Sequence, residues 1–312
     1  MSRNAAALAE PVRATSRSIP RFRVCPPGSS PDVAPLESSN ARPFLKWAGG
    51  KTRLLPSLLP FVPRRFVNYH EPFLGGGAMF FRVGGLARGR CYLADLNEEL
   101  VNTWQIVKTQ PNKLFEALST YVGRDSRQDY CRIRAKVPRG RVARAARFIY
   151  LNQTSWNGLW RVNRWGIFNV PWGVRPFRGI LADDLKAVSR SLKKVAIQKA
   201  DFRCTLERPR AGDFVYLDPP YLPISDTSKF SGYTEQRFRA LDLAELADAC
   251  RNLTKRGVSW VLSNRDNKRV RDLFGYARIV SITVRRSVAA QNRRDVQPIE
   301  SPEAIIIGGP RS

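Results

Sequence analysis

The sequence predicts an open, doubly wound α/β sheet interrupted by a mainly helical insertion that carries a β-hairpin. Three observations predict it. Short apolar runs recur along the chain, and several are continuous rather than alternating, as in strands covered on both faces. Helical periodicity fills the gaps between some of these runs, the alternation of a doubly wound sheet. A long, basic, helix-prone interval then separates one set of strands from the next.

Taken in order, residues 1–40 hold Pro11, Pro20, Pro26, Pro27, Pro31 and Pro35 among Ser, Ala and Arg, with little periodicity. They read as a disordered basic arm. Glu10 and the absence of an amphipathic pattern argue against an organellar transit peptide. Residues 41–110 form the first part of the α/β domain, with strands expected at Phe66–Tyr69 and Cys91–Ala94. Residues 111–199 are the expected insertion, where Arg132, Arg134, Lys136, Arg139, Arg141, Arg144 and Arg147 follow closely. Inside it, Asn157-Gly158 is a strong hairpin-turn dipeptide. Residues 200–312 complete the α/β domain, with strands expected at Phe214–Leu217, Trp260–Ser263, Arg278–Val284 and Ala304–Ile307. Leu243, Leu246, Ala247, Cys250 and Leu253 lay one apolar stripe on a helix that ends near Gly257.

The bulk numbers narrow the partners. The chain has 312 residues, 43% of them hydrophobic, enough to bury a large core. Its 53 Lys and Arg against 26 Asp and Glu give a formal charge of +27. A polyanion is the partner this favours, because each cation laid on a phosphate releases a condensed counterion. A protein from a high-GC genome would share some of that charge through arginine codons alone. No apolar run is long enough to span a bilayer, so no membrane partner is expected. The five cysteines are far apart and form no C-x-x-C pair. That speaks against a disulfide framework and against a cysteine zinc site, and for a reducing compartment. His70 is the only histidine, which excludes any mechanism that needs a histidine dyad.

Two constellations carry chemistry. Glu71-Pro72-Phe73-Leu74-Gly75-Gly76-Gly77 follows the first strand, and glycines there let backbone approach a ligand closely. The next strand ends in Asp95, where such folds place a carboxylate to hold ribose hydroxyls. The turn is not G-x-G-x-x-G and no P-loop lysine follows, so a cofactor with a ribose but no pyrophosphate suits it. The second constellation, Asp218-Pro219-Pro220-Tyr221, lies at the carboxyl end of a strand, where open α/β sheets bind ligands. Two prolines fix the backbone and remove N–H donors. An Asp carboxylate beside rigid carbonyls makes an acceptor-only cradle, suited to an amino group with two hydrogens. The tyrosine offers a flat face to a planar ring.

Together with Phe44-Leu45-Lys46-Trp47-Ala48-Gly49-Gly50-Lys51 and Leu93-Ala94-Asp95-Leu96-Asn97, these motifs resemble the Dam-type DNA adenine-N6 methyltransferases. The resemblance runs from about Arg42 to near Ile307 and implies a Rossmann-like methyltransferase sheet with a target-recognition insertion at 111–199. It implies S-adenosyl-L-methionine as cofactor, held by Trp47, Lys51, Glu71, Phe73, Gly75, Gly77, Asp95 and Asp218. Asp218, Pro219, Pro220 and Tyr221 would be catalytic, with adenine flipped from double-stranded DNA to reach them. Trp156 and Asn157 match positions that insert between bases. Leu159, Arg161 and Pro171 match positions that read neighbouring bases, which points to GATC. Arg161 would contribute about 1–3 kcal/mol of discrimination through a bidentate contact with guanine. Val174 stands where many family members carry a basic residue, and Arg175 follows it as the candidate DNA contact. Leu262-Ser263-Asn264 resembles the floor of the family's base pocket. The implied setting is the cytoplasm of a bacterium, or of a host expressing a phage copy. The sequence leaves the oligomeric state open, and a monomer is compatible with it. Rival readings are an amino-methyltransferase acting on cytosine N4, RNA or protein, and a non-catalytic DNA-binding relative. The Asp of the tetrapeptide and the basic insertion favour adenine in DNA over the first, and the intact Asp218, Tyr221 and glycines speak against the second.

Overall fold

The computed structural model describes residues 41–47, 51–222, 238–286 and 299–310. The expectations for the N-terminal arm and for Ala48-Gly49-Gly50 of the first motif fall outside the described residues. Seven strands form one sheet: β1 (Tyr69–Glu71), β2 (Cys91–Asp95), β3 (Val195–Lys199), β4 (Phe214–Leu217), β5 (Ser259–Arg265), β6 (Arg278–Arg286) and β7 (Ile299–Gly308). Their order is β3-β2-β1-β4-β5-β7-β6. The first five in that order are parallel, and β7 runs antiparallel between β5 and β6. The chain thus winds outward from β1 to β3 and then returns to β4 on the other side of β1. The carboxyl ends of β1 and β4 flank this reversal, the place where open α/β sheets bind ligands.

Alternation along β4 explains the two-sided burial. Phe214 and Tyr216 enter one apolar core, and Val215 and Leu217 enter the other. The first core also takes the short α1 (Leu55–Leu58) and α2 (Phe80–Val83), then α3 (Glu98–Thr109) and α4 (Pro111–Ser119). It continues through α5 (Arg127–Ala135), α6 (Arg141–Thr154) and α7 (Ala182–Ser191). The opposite core takes α8 (Phe202–Thr205), α9 (Ala240–Lys255) and α10 (Lys268–Phe274). In α9 the expected stripe is buried throughout, and Gly257 at φ 72° follows its C-terminus. Asn97 caps α3 by accepting from Leu100 N–H, with Glu98 and Glu99 in the first turn facing the helix dipole. Among the described residues no helix is long and apolar enough to cross a membrane.

Several expected elements need correction. The first strand is Tyr69–Glu71, not Phe66–Tyr69, and Phe66 makes only an isolated bridge to Ala87. Apolarity misplaces this strand because its polar residues are buried with partners. His70 Nε2 lies 2.9 Å from Asp213 Oδ2, and Tyr69 Oη donates to Glu71 at 2.8 Å. Residues 111–199 hold four helices and a long loop at 155–181 before β3, which the sequence reading passed over: as an edge strand it buries only Val195. The basic run also turns partly inward. Arg144 pairs with Glu98 and Glu99 of α3, while the buried Arg147 donates to the carbonyls of Ile133 and Arg134 and so closes the end of α5.

Asn157-Gly158 does not join two strands. Both residues are left-handed (φ 54° and 65°), and Leu159 N–H donates to Trp156 O at 3.1 Å, which is the backbone of a type I′ turn. It follows directly on α6 rather than on a strand. The antiparallel pairing around it consists of isolated bridges, Ser155 with Trp172 and Val162 with Phe168. The tip of that loop lies further on, at Asn163–Gly166, where Asn163 Oδ1 accepts from the N–H groups of Trp165 and Ile167.

Candidate active site

The glycine turn is packed from two sides. Gly75 and Gly77 take φ of 48° and 67°. A Cβ at Gly75 would lie 2.6 Å from Trp47 Cδ1, and one at Gly77 would lie 2.8 Å from Trp104 Cη2. Only glycine meets both demands. Trp104, wholly buried on α3, donates from Nε1 to Gly75 O at 3.1 Å. Asp95, at the end of β2, accepts from Gly75 N–H at 3.0 Å and from Asn97 N–H at 2.9 Å. Burial raises its pKa, and those backbone N–H groups pull it back. Glu71 is buried at the end of β1, and desolvation holds its pKa well above the ordinary carboxylate range against the hydrogen bond from Tyr69.

Across the reversal point, β4 delivers Asp218. Lys51 Nζ lies 2.6 Å from Asp218 Oδ1, and Ser263 Oγ donates to the same oxygen at 3.1 Å. Ser263 sits on β5, the strand next to β4, and Tyr216 Oη lies 3.1 Å from its hydroxyl. Desolvation raises the Asp218 pKa; Lys51 and Ser263 draw it down. Tyr221 donates from its hydroxyl to Glu303, a buried residue of β7. Lys51 Nζ lies 4.8 Å from the centroid of the Tyr221 ring, and the Arg265 guanidinium 6.0 Å from it.

Trp47, Lys51, Glu71, Asp95, Asp218 and Tyr221 face one cavity of about 1190 Å³, which Trp104, Ser263 and Glu303 do not line. It is lined by every residue expected to hold the cofactor: Trp47, Lys51, Glu71, Phe73, Gly75, Gly77, Asp95 and Asp218. Pro219, Pro220 and Tyr221 line it too. The sequence reading missed Phe202, which packs on Phe73 at 5.6 Å, and Phe238, edge-on to Phe73 at 6.0 Å. Phe202 follows β3 closely, so overlooking that strand hid it. The expected DNA residues Trp156, Asn157, Leu159, Arg161, Pro171 and Arg175 do not line the cavity, although Trp160, Val162 and Phe168 from the same loop do. Arg161 donates to Asn169 Oδ1 at 2.8 Å, and Pro171 O accepts from Trp156 N–H at 2.9 Å. Among the described residues no cluster of His, Cys, Asp and Glu is arranged to hold a metal ion.

A seven-stranded sheet with an antiparallel seventh strand, a glycine cradle and an Asp-Pro-Pro-Tyr loop in one cavity defines a class: the Rossmann-like methyltransferases. Residues 47–288 match the family described as D12 class N6 adenine-specific DNA methyltransferase. The chain is 36% identical over 262 residues to the type II methyltransferase M1.LlaDCHI of Lactococcus lactis subsp. cremoris, covering 81% of this chain and 91% of that one. It is 38% identical over 253 residues to the type II methyltransferase M.MjaIII of Methanocaldococcus jannaschii, covering 75% and 86%. A DNA adenine methylase of Vibrio cholerae is 33% identical over 265 residues, covering 81% and 94%. The chain belongs to the D12 class of N6 adenine-specific DNA methyltransferases, and S-adenosylmethionine-dependent methylation of DNA adenine is its activity.

Proposed function

We propose that Asp218-Pro219-Pro220-Tyr221 is the loop that holds the target adenine, and that the adenine is flipped out of a duplex to reach it. The observation that carries this reading is the asymmetry at Asp218. Lys51 and Ser263 both engage Oδ1, so Oδ2 is the oxygen left to accept from an amino group. With the Pro219 carbonyl as second acceptor, both N6 hydrogens are engaged. The nitrogen lone pair, otherwise delocalised into the purine, is then localised and aimed. Tyr221, its hydroxyl anchored on Glu303, presents a ring face for the base to stack on. Positioning and fixed charge supply the acceleration, so no strong base is required. The proton that N6 sheds passes to solvent.

The cavity fits the cofactor. Gly75 and Gly77 let the turn pack closely on Trp47 and Trp104 while still lining the cavity, and Asp95 is placed as an acceptor for ribose hydroxyls. Trp47, Phe73 and Phe202 give apolar faces, and Lys51 and Glu71 complete the wall toward Asp218. At about 1190 Å³ the space exceeds what one small ligand requires and admits cofactor and base together. When bound, S-adenosylmethionine supplies the methyl group as a sulfonium electrophile.

Residues 111–199 would read the duplex, with Trp156 and Asn157 entering the stack and Leu159, Arg161, Pro171 and Arg175 contacting bases or phosphates of GATC. One chain carries every group named, so a monomer suffices. A cytoplasmic setting agrees with the separate, free cysteines among the described residues. Single-molecule sequencing of DNA modified by the wild type and by Asp218→Ala tests the whole reading. The wild type is expected to leave N6-methyladenine at GATC, and Asp218→Ala to leave none while keeping much of its cofactor affinity. Marks from Asp218→Ala would refute the catalytic assignment, and marks at other sites would refute GATC.

A further inference from the structure

We infer that Asn152 is a positioning residue that couples the cofactor wall to the DNA-reading turn, so that filling one site changes the affinity of the other. The inference rests on the proposed placement of DNA at residues 156–161. Asn152 lies near the end of α6, wholly buried, and none of its side-chain bonds serves its own helix. Its Oδ1 accepts from Lys46 N–H at 2.8 Å, and its Nδ2 donates to Lys46 O at 2.6 Å and to Gly158 O at 3.1 Å. The amide pairs with Lys46 as the peptide of an adjacent strand would, and its third bond crosses to the turn. Asn152 does not line the cavity, and nothing in the methyl-transfer scheme uses it.

Both segments it joins are tightly packed. On one side, Lys46 leads directly into Trp47, whose indole fills the space over Gly75 and stacks on Phe148 of α6 at 6.4 Å. Phe44 meets Trp104 edge-on at 4.9 Å, and Trp104 in turn holds the Gly75 carbonyl. The 44–47 segment, which brings Trp47 to the cavity, is therefore clamped between the glycine turn and α6. On the other side, Gly158 is pressed onto Lys46: a Cβ there would lie 2.9 Å from Lys46 Cβ. Close-packed parts with no slack shift together. Separating either pairing would strand polar groups in a dry site, so the amide keeps the two segments in register. Coupling of this kind is reciprocal by thermodynamic linkage.

The test uses the full-length protein and a labelled duplex carrying the site that the sequencing experiment identifies. Duplex affinity is measured by anisotropy with and without saturating S-adenosylhomocysteine, and affinity for S-adenosylhomocysteine by calorimetry with and without duplex. The wild type is expected to show reciprocal tightening of roughly 5- to 150-fold, the common range for coupled sites. Asn152→Asp keeps the size of the side chain and its acceptor for Lys46 N–H but loses both amide donor bonds. It is expected to bring the coupling factor close to unity while the DNA-free protein keeps its affinity for S-adenosylhomocysteine. Gly158→Ala, which strains the same joint from the turn side, gives the second reading if Asn152→Asp does not fold. A coupling factor that survives in the folded variant overturns the inference, as does its absence from the wild type. A merely structural Asn152 would lower both affinities together and leave the factor intact, which also overturns it. A wild type that binds no duplex would instead sink the functional reading on which the inference rests.

Discussion

Lys51 and Ser263 converge on one oxygen of Asp218, and this fixes how the carboxylate answers to pH. Burial raises the Asp218 pKa above that of a free aspartate, while Lys51 opposes the rise. In the proposed scheme only the ionised carboxylate is a full acceptor for N6, so methylation should fall as pH drops through this pKa. Lys51→Met removes the opposing charge, so the pKa rises further and the acid limb of the kcat profile moves to higher pH. The variant is also expected to lose roughly 100–1000-fold in kcat at neutral pH, the scale of removing one preorganised donor. An unmoved limb would mean that Asp218 does not control the profile. At this scale the sequence was legible wherever chemistry demands residue types side by side: Asp218-Pro219-Pro220-Tyr221, the 71–77 turn and Asp95. Phe202 and Arg265 reach the cavity, and Glu303 reaches Tyr221, only through strand order, which no local pattern states. Ser263 was seen only as part of a short resemblance, and its hydrogen bond to Asp218 gives it a physical place.

Elements were legible where one periodicity governs burial, as in α9 and β4. They were misplaced where polar residues are buried with partners, as in β1, or where an edge strand shows one face, as in β3. The Asn157-Gly158 dipeptide specified its turn correctly, yet the turn follows a helix, because α6 buries residues up to Ser155 before the chain reverses. The returning segment is held against that reversal: Gly173 N–H donates to Thr154 O at 2.8 Å, and a Cβ at Gly173 would lie 2.6 Å from Ser155 O. The next residue absorbs the constraint. Val174 sits at φ 53° while 72% exposed, a conformation that costs a residue other than glycine about 1–2 kcal/mol and is rarer still for a β-branched one. Val174→Gly is therefore expected to stabilise the protein by about 0.5–1 kcal/mol, after allowance for the greater freedom of unfolded glycine. Denaturant unfolding measures this; a loss of stability would show that the valine side chain repays its strain through contacts.

For the whole molecule, the +27 charge is the coarsest feature and the easiest to over-read. Arg144, Arg147 and Arg203 are committed to internal partners, Arg203 bridging Asp201, Asp242 and Glu245. The surplus should nonetheless dominate duplex affinity. If about six phosphates are contacted, binding should weaken roughly 10³-fold between about 50 and 200 mM salt, with a linear log–log slope. Anisotropy titrations at several salt concentrations measure that slope, and a flat response would remove charge as the source of affinity.

The seventh strand has a consequence for how the enzyme comes into being. β6 precedes β7 along the chain, yet within the described sheet its sole neighbour is β7, which also separates it from β5. During synthesis β6 must wait unpaired, and the edge of β5 stays open, until β7 emerges and slots between them. Glu303 arrives on that same strand, so the Tyr221 hydroxyl gains its hydrogen bond to Glu303 as the sheet is completed. On the proposed role of Tyr221, maturation of the base-stacking surface and closure of the sheet are then one event, and a nascent chain that has not finished folding does not yet present that ring in its final setting.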